Sequence, residues 1–180
     1  NRLARSIADV LGAKAAVTTA GDVALGIALD EPPAGWTLAN PENAKSAMMA
    51  LLQGGGAQVS GDEVTNAEWL GDLPKGDAVK IICTTKDQPI RPENTLLFHP
   101  QRATLGVGCA RNCPPAELER LVMDVLAAAQ IAPKALQGIY TLDLKADEPA
   151  VLHLAAKLNL PLRLFTATEL EVQTARLENP

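Results

Sequence analysis

The apolar positions of the first half of the chain predict one helix, a gap and then a second helix. Leu3, Ile7, Val10 and Leu11 recur at helical spacing, and Gly12 is a natural stop. An extended run follows from Ala15 to Thr19, and a turn-rich stretch through Asp30, Pro32 and Pro33 leads to Gly35. Asn40-Pro41-Glu42 predicts a helix start, with Asn40 as N-cap and Pro41 at the first helical position. Ala44, Ala47, Met48, Leu51 and Leu52 form its apolar stripe, Met48 and Met49 read as core filling, and Gly54 to Gly56 end it. Residues 57–77 are polar and turn-like, with Trp69 as their one obvious anchor. Ala78 to Cys83 reads as a buried strand, Thr84 to Asn94 as a loop, and Thr95 to Phe98 as a short strand.

The second half has the clearer pattern. Leu105 to Cys109 is a strand running into a turn, and Pro114-Pro115 opens a helix with Leu118, Leu121, Val122, Val125 and Leu126 on its apolar face. A strand from Gly138 to Leu142, a helix with Val151, Leu154, Ala155 and Leu158, and a strand from Pro161 to Phe165 complete the run. Strand, helix, strand, helix, strand predicts a βαβαβ unit with a mostly parallel sheet. The expected architecture is a three-layer α/β/α domain preceded by a partial, smaller α/β region, with the boundary near residues 99–103. A helix that begins at residue 1 without a cap suggests a chain cut from a longer one.

Bulk properties narrow the partners. The chain of 180 residues is 47% apolar and 21% charged, with only 3% aromatic residues. That predicts a globular protein whose core is built from aliphatic side chains. A net charge of −5 without a Lys/Arg cluster gives no reason to expect nucleic acid. No apolar run approaches the ~18–20 residues that span a bilayer, and no signal peptide is evident. Three cysteines, Cys83, Cys109 and Cys113, form neither a disulfide framework nor a zinc pattern, and two histidines exclude a histidine-rich metal site. The expectation is a reduced cytoplasmic protein with no metal site and no membrane partner.

In a parallel α/β unit, ligands bind outside the carboxyl ends of the strands. Two loops occupy that position. The first holds Gly106, Gly108, Cys109 and Arg111 ahead of Pro114. Its glycines let a ligand approach the backbone, the helix N-terminus offers free amides, and Arg111 can grip a carboxylate bidentately. It is half of a dinucleotide fingerprint: Arg111 stands at the third glycine position and no acidic residue closes the next strand, so the fingerprint is incomplete. The second loop runs from Thr141 through Asp143, Lys145, Asp147 and Glu148 to Pro149. Asp147 serves there as a helix cap and Lys145 as either a solvated side chain or a ligand contact. Cys109 and Cys113 read as incidental thiols and His153 as solvent-facing, while Thr18 and Thr19 at a strand end can donate to a ligand or cap the strand.

These loops carry a resemblance. Gly106-Val-Gly-Cys-Ala-Arg111 before a proline-rich helix start looks like the GIGCRRGTP-type motif of the CbiG/CobE family of cobalamin-biosynthesis proteins. Thr141 to Pro149, the Leu160-Pro161-Leu162 step and Phe165-Thr-Ala-Thr-Glu-Leu170 look like its second signature. Val17-Thr-Thr-Ala-Gly-Asp22 resembles the VTTATD tract that ends the CbiG N-terminal domain. The resemblance implies residues 1–55 as the end of that domain, 56–103 as a variable middle region and 104–180 as the CobE-like C-terminal domain. The chain departs from the family at Ala110, where a second basic residue is common, and both the start of the N-terminal domain and a segment after Leu170 are lacking.

The activity that the resemblance implies is that of a cobalt-precorrin-5A hydrolase, which opens a δ-lactone with release of acetaldehyde. The alternatives are a non-catalytic CobE-like tetrapyrrole-binding module, as a homodimer or fused to a precorrin-3B methyltransferase, and a generic nucleotide-binding domain. An anionic corrin precursor would be held by Arg111, Lys145, Thr141, Thr18, Thr19 and the amides at Gly106, Gly108 and Cys109. Asp143 and Glu148 are the carboxylates nominated as base. No cofactor is expected, since cobalt would arrive within the substrate.

Overall fold

Alternating burial along short strands, and aliphatic stripes along the helices, produce two separate sheets. The computed structural model describes residues 2–14, 25–89 and 92–176. The helices are α1 (Arg2–Leu11), α2 (Ala44–Leu52), α3 (Pro115–Ala128), α4 (Pro149–Leu158) and the short α5 (Ala167–Glu171). The strands are β1 (Trp36–Leu38), β2 (Ala57–Ser60), β3 (Val79–Cys83), β4 (Thr95–Pro100), β5 (Ala103–Gly106), β6 (Leu136–Leu142) and β7 (Leu162–Phe165).

The first sheet has the order β1-β4-β3-β2, with β2, β3 and β4 parallel and β1 antiparallel to β4. All six residues of β4 are buried, as expected for a central strand covered on both faces. Ile81, Leu96 and Phe98 join Ala47 and Leu51 of α2 in its core. Trp69 packs edge-on against both Trp36 and Phe98. Trp69 is thus the anchor expected of it, within a segment that also supplies β2.

Several expectations change here. β1 and β2 were not legible, because strands of three and four residues carry too few alternations to stand out. A division at residue 55 does not separate structural units, since β1 and α2 before it share one sheet and one core with β2–β4 after it. Asn40 does not cap the helix. Its side chain instead donates to Thr95 O at 2.7 Å and accepts from Leu97 N at 2.9 Å, tying the helix entry to β4. A 3-10 turn, Pro41–Asn43, precedes α2. In α1, Ala8 is buried while Ile7, Val10 and Leu11 are exposed. The run Ala15–Thr19, with Thr18 and Thr19, lies outside the described residues.

The second sheet is the expected βαβαβ unit, β5-β6-β7, parallel throughout. Strand order following chain order, with right-handed crossovers, puts α3 and α4 side by side on one face. Leu118, Val122 and Leu126 of α3 meet Val151 and Leu154 of α4 over Ile139. The i, i+4 ridge is the buried one, and Leu121 and Val125 lie on the outer side of α3. Asn159, in the left-handed region at φ 52°, stops α4. The register places Tyr140 and Phe165 on the opposite face, where their rings stack with centroids 6.1 Å apart. Leu170 of α5 reaches that side.

β4 ends at Pro100 and β5 starts at Ala103, so two residues link the sheets. Ala132 N donates to Thr85 O, and Lys134 Nζ donates to Ala39 O at 2.8 Å, joining the units laterally. Among the described residues, no helix is long and apolar enough to cross a membrane.

Candidate functional site

The carboxyl ends of β5, β6 and β7 open into a cleft of about 630 Å³. Its wall is Gly106, Val107, Gly108 and Cys109 from the loop after β5, and Tyr140, Thr141 and Leu142 from the end of β6. Lys145, Phe165 and Leu170 close it. Five of the residues singled out from sequence, Gly106, Gly108, Cys109, Thr141 and Lys145, are therefore brought together. A Cβ added at Gly106 or Gly108 would meet no atom within 4 Å, so both glycines leave open space over the main chain. The Thr141 hydroxyl is committed, donating to Val107 O at 2.8 Å. It holds the two loops together and retains only acceptor capacity.

The remaining residues are placed differently. Arg111 lines a neighbouring depression with Cys109 and Cys113 rather than the main cleft. Its guanidinium pairs with Asp147, donates to Leu144 O at 2.8 Å and lies 3.7 Å from Glu148. Asp147 therefore does not cap α4; the hydrogen bond and charge of Arg111 hold its carboxyl below the usual carboxylate range. Glu148 occupies the N-cap position, without a side-chain cap bond, and is 0% exposed. Its Oε2 accepts from Asn112 N at 3.4 Å and lies 3.9 Å from Lys145 Nζ, while Oε1 is buried without a partner. Neither Glu148 nor Asp143 lines the cleft.

This arrangement is a charge-balanced latch. Two cations and two carboxylates tie the glycine loop to the start of α4, and Lys145 also faces the ligand side. Asn112 adopts φ 60°, where a non-glycine residue is uncommon, which turns its amide toward Glu148. His153 pairs with Glu119 across α3 and α4 at 3.1 Å, and Lys157 does so at 2.7 Å. Burial, with Glu63 nearby, pushes the Cys83 thiol up to about 12. Among the described residues, no group of three or more His, Cys, Asp or Glu side chains is placed to hold a metal ion.

One residue went unremarked in the sequence. His99, at the end of β4, is buried and lines a separate cleft between the two units. Its only sequence signal was a histidine closing an apolar strand, which by itself reads as core.

A parallel α/β unit with glycines and a lysine around an apolar cleft at its strand ends belongs to the open-sheet class that takes small organic ligands. Comparison with known proteins makes this specific. Residues 103–180 match the family model described as Cobalamin synthesis G C-terminus. The chain is 31% identical over 193 residues to the cobalt-precorrin-5A hydrolase of Salmonella typhimurium, covering 94% of this chain and 53% of that protein. It is 40% identical over 76 residues to Protein CobE of a Sinorhizobium species, covering 42% of this chain and 49% of that one. It is 25% identical over 192 residues to the cobalt-precorrin-5A hydrolase of Priestia megaterium, covering 94% of this chain and 51% of the relative. The chain spans about half the length of these relatives. Residues 103–180 belong to the family described as Cobalamin synthesis G C-terminus, and the likeness to the two hydrolases extends over 94% of the chain.

Proposed function

We propose that the chain acts in cobalamin synthesis on a carboxylate-fringed corrin precursor, as part of a cobalt-precorrin-5A hydrolase that opens a lactone. The observation that carries this is the extent of the likeness. Similarity to the two hydrolases runs through 94% of the chain and so takes in both units, whereas similarity to CobE covers 42%. The site is compatible with such a ligand. Tyr140, Phe165, Leu142 and Leu170 offer an apolar wall to a broad macrocycle, while Lys145 and the amides beyond Gly106 suit its carboxylates. The test is incubation with cobalt-precorrin-5A, following acetaldehyde and the loss of the lactone. Turnover supports the hydrolase. Tight binding without turnover supports the alternative, a non-catalytic CobE-like carrier.

A further inference from the structure

A second cleft, of about 400 Å³, lies between the two units, over Leu97 and His99 of β4 and beside the residues that precede β6. Ala39, Leu97, Ala132 and Pro133 make it largely apolar, and the charges of Lys134, Asp87 and Glu42 stand at its exposed rim. His99 is the one lining group both buried, at 2% exposure, and able to accept a proton near neutrality.

The geometry fixes the state of this imidazole. Nδ1 lies 2.6 Å from Thr84 O, so Nδ1 carries the proton and donates, leaving Nε2 as the acceptor. Thr84 is held in turn, since its hydroxyl oxygen accepts from Lys86 N at 3.1 Å and its hydroxyl bonds the Asp62 carboxylate. Burial keeps the ring below its ordinary pKa, with the Thr84 carbonyl and Asp87 opposing that and Lys134 adding to it. Lys134 is anchored on Ala39 O at 2.8 Å and lies 3.4 Å from Leu38 O, which leaves one ammonium proton for a ligand oxygen. The carboxylates of the other site offer no comparable base: Glu148 is buried between cations, and Asp143 is off the cleft.

We propose that this cleft is the hydrolytic centre of the reaction, admitting the lactone edge of the macrocycle, with His99 Nε2 as general base. The proposal rests on the hydrolase reading above. A cleft of about 400 Å³ holds a six-membered lactone but not a corrin ring, so the ring stays outside it; residues 132–134 lie at the other end of β6 from Tyr140 and Leu142, so the two clefts engage the substrate in separate binding events. Nε2 takes a proton from water as the water oxygen bonds to the lactone carbonyl carbon. The ring C–O bond then breaks, the departing alkoxide recovers that proton from the imidazolium, and the new carboxylic acid ionises to solvent.

The test uses the wild-type chain, His99→Asn and His99→Ala with cobalt-precorrin-5A. His99→Asn is expected to lower kcat by about 10²-fold or more while KM stays within about threefold. Added imidazole is expected to restore part of the rate to His99→Ala. The acid limb of the wild-type pH–rate profile should coincide with the titration of His99 followed by NMR, a measurement that needs no variant. A folded His99→Asn at the wild-type rate, or an acid limb that does not track His99, overturns the proposal and leaves the hydrolase reading standing. Substrate binding by the wild type with no lactone opening removes that reading, and the proposal with it.

Discussion

Arg111 and Asp147 lie 36 positions apart and form a hydrogen-bonded ion pair that ties the glycine loop to the entrance of α4. Asp147 is 79% exposed, so it is exchangeable, whereas Glu148 beside it is fully buried. Asp147→Asn should therefore change stability little and strengthen binding of a polycarboxylate corrinoid, because Arg111 is freed for ligand carboxylates. Arg111→Ala should weaken the same binding. Isothermal titration of both variants with cobyrinic acid checks this, and equal affinities would refute an exchangeable latch.

Glu148 makes the opposite prediction. Its removal leaves Arg111 and Lys145 without their buried counter-charge and opens a void at the start of α4. Glu148→Ala should cost about 1–3 kcal/mol, read from urea unfolding.

The glycines separate binding from folding. Gly106→Ala and Gly108→Ala should leave the thermal midpoint nearly unchanged, since the new methyl meets no protein atom, while crowding a ligand in the cleft. Gly61→Ala should behave differently: φ is +118° and the Cβ would collide with the backbone of Cys83. A loss of about 2 kcal/mol or more is expected there, at a position outside the strand-end cleft.

Asn40 secures a backbone register. Replacing it with Ala strands Leu97 N in the interior, while Thr95 O keeps its bond from Asn43 Nδ2 at 3.1 Å. A loss of about 1–3 kcal/mol is expected, and Asn40→Asp should recover only part of it, because the carboxylate keeps the acceptor and loses the donor. Hydrogen exchange at Leu97 in each variant is the direct readout.

Acid should weaken the fold through His99. Its folded pKa lies below the unfolded value of about 6.5. The unfolded chain therefore binds the extra proton first, and stability is full above about pH 6.5 and falls as pH drops below it. Urea midpoints at pH 7.5 and 5 should differ less in His99→Asn than in the wild type. An unchanged difference would assign the acid sensitivity to other groups.

Much of the second unit was legible because its information is local. The ridge from Leu118 to Leu126, the strand at Ile139 and the helix at Val151 each announce their element by periodicity. Parallel pairing and the gathering of Gly106, Gly108, Thr141 and Lys145 at one cleft then follow from the handedness of βαβ crossovers. Strands as short as β1 and β2 have no such signature, and their existence depends on a neighbour to pair with. The commitment of Arg111 to Asp147, and of Asn40 to β4, joins residues dozens of positions apart.

The sequence by itself determined the βαβαβ run and the residue types at its ligand-facing loops, because helix and strand periods and turn chemistry act over a few residues. Only the tertiary structure decided which of those charges are already spent, and that a histidine at the end of β4 opens onto a cleft. Burial, counter-charge and hydrogen-bond partners are set by elements that meet across the chain.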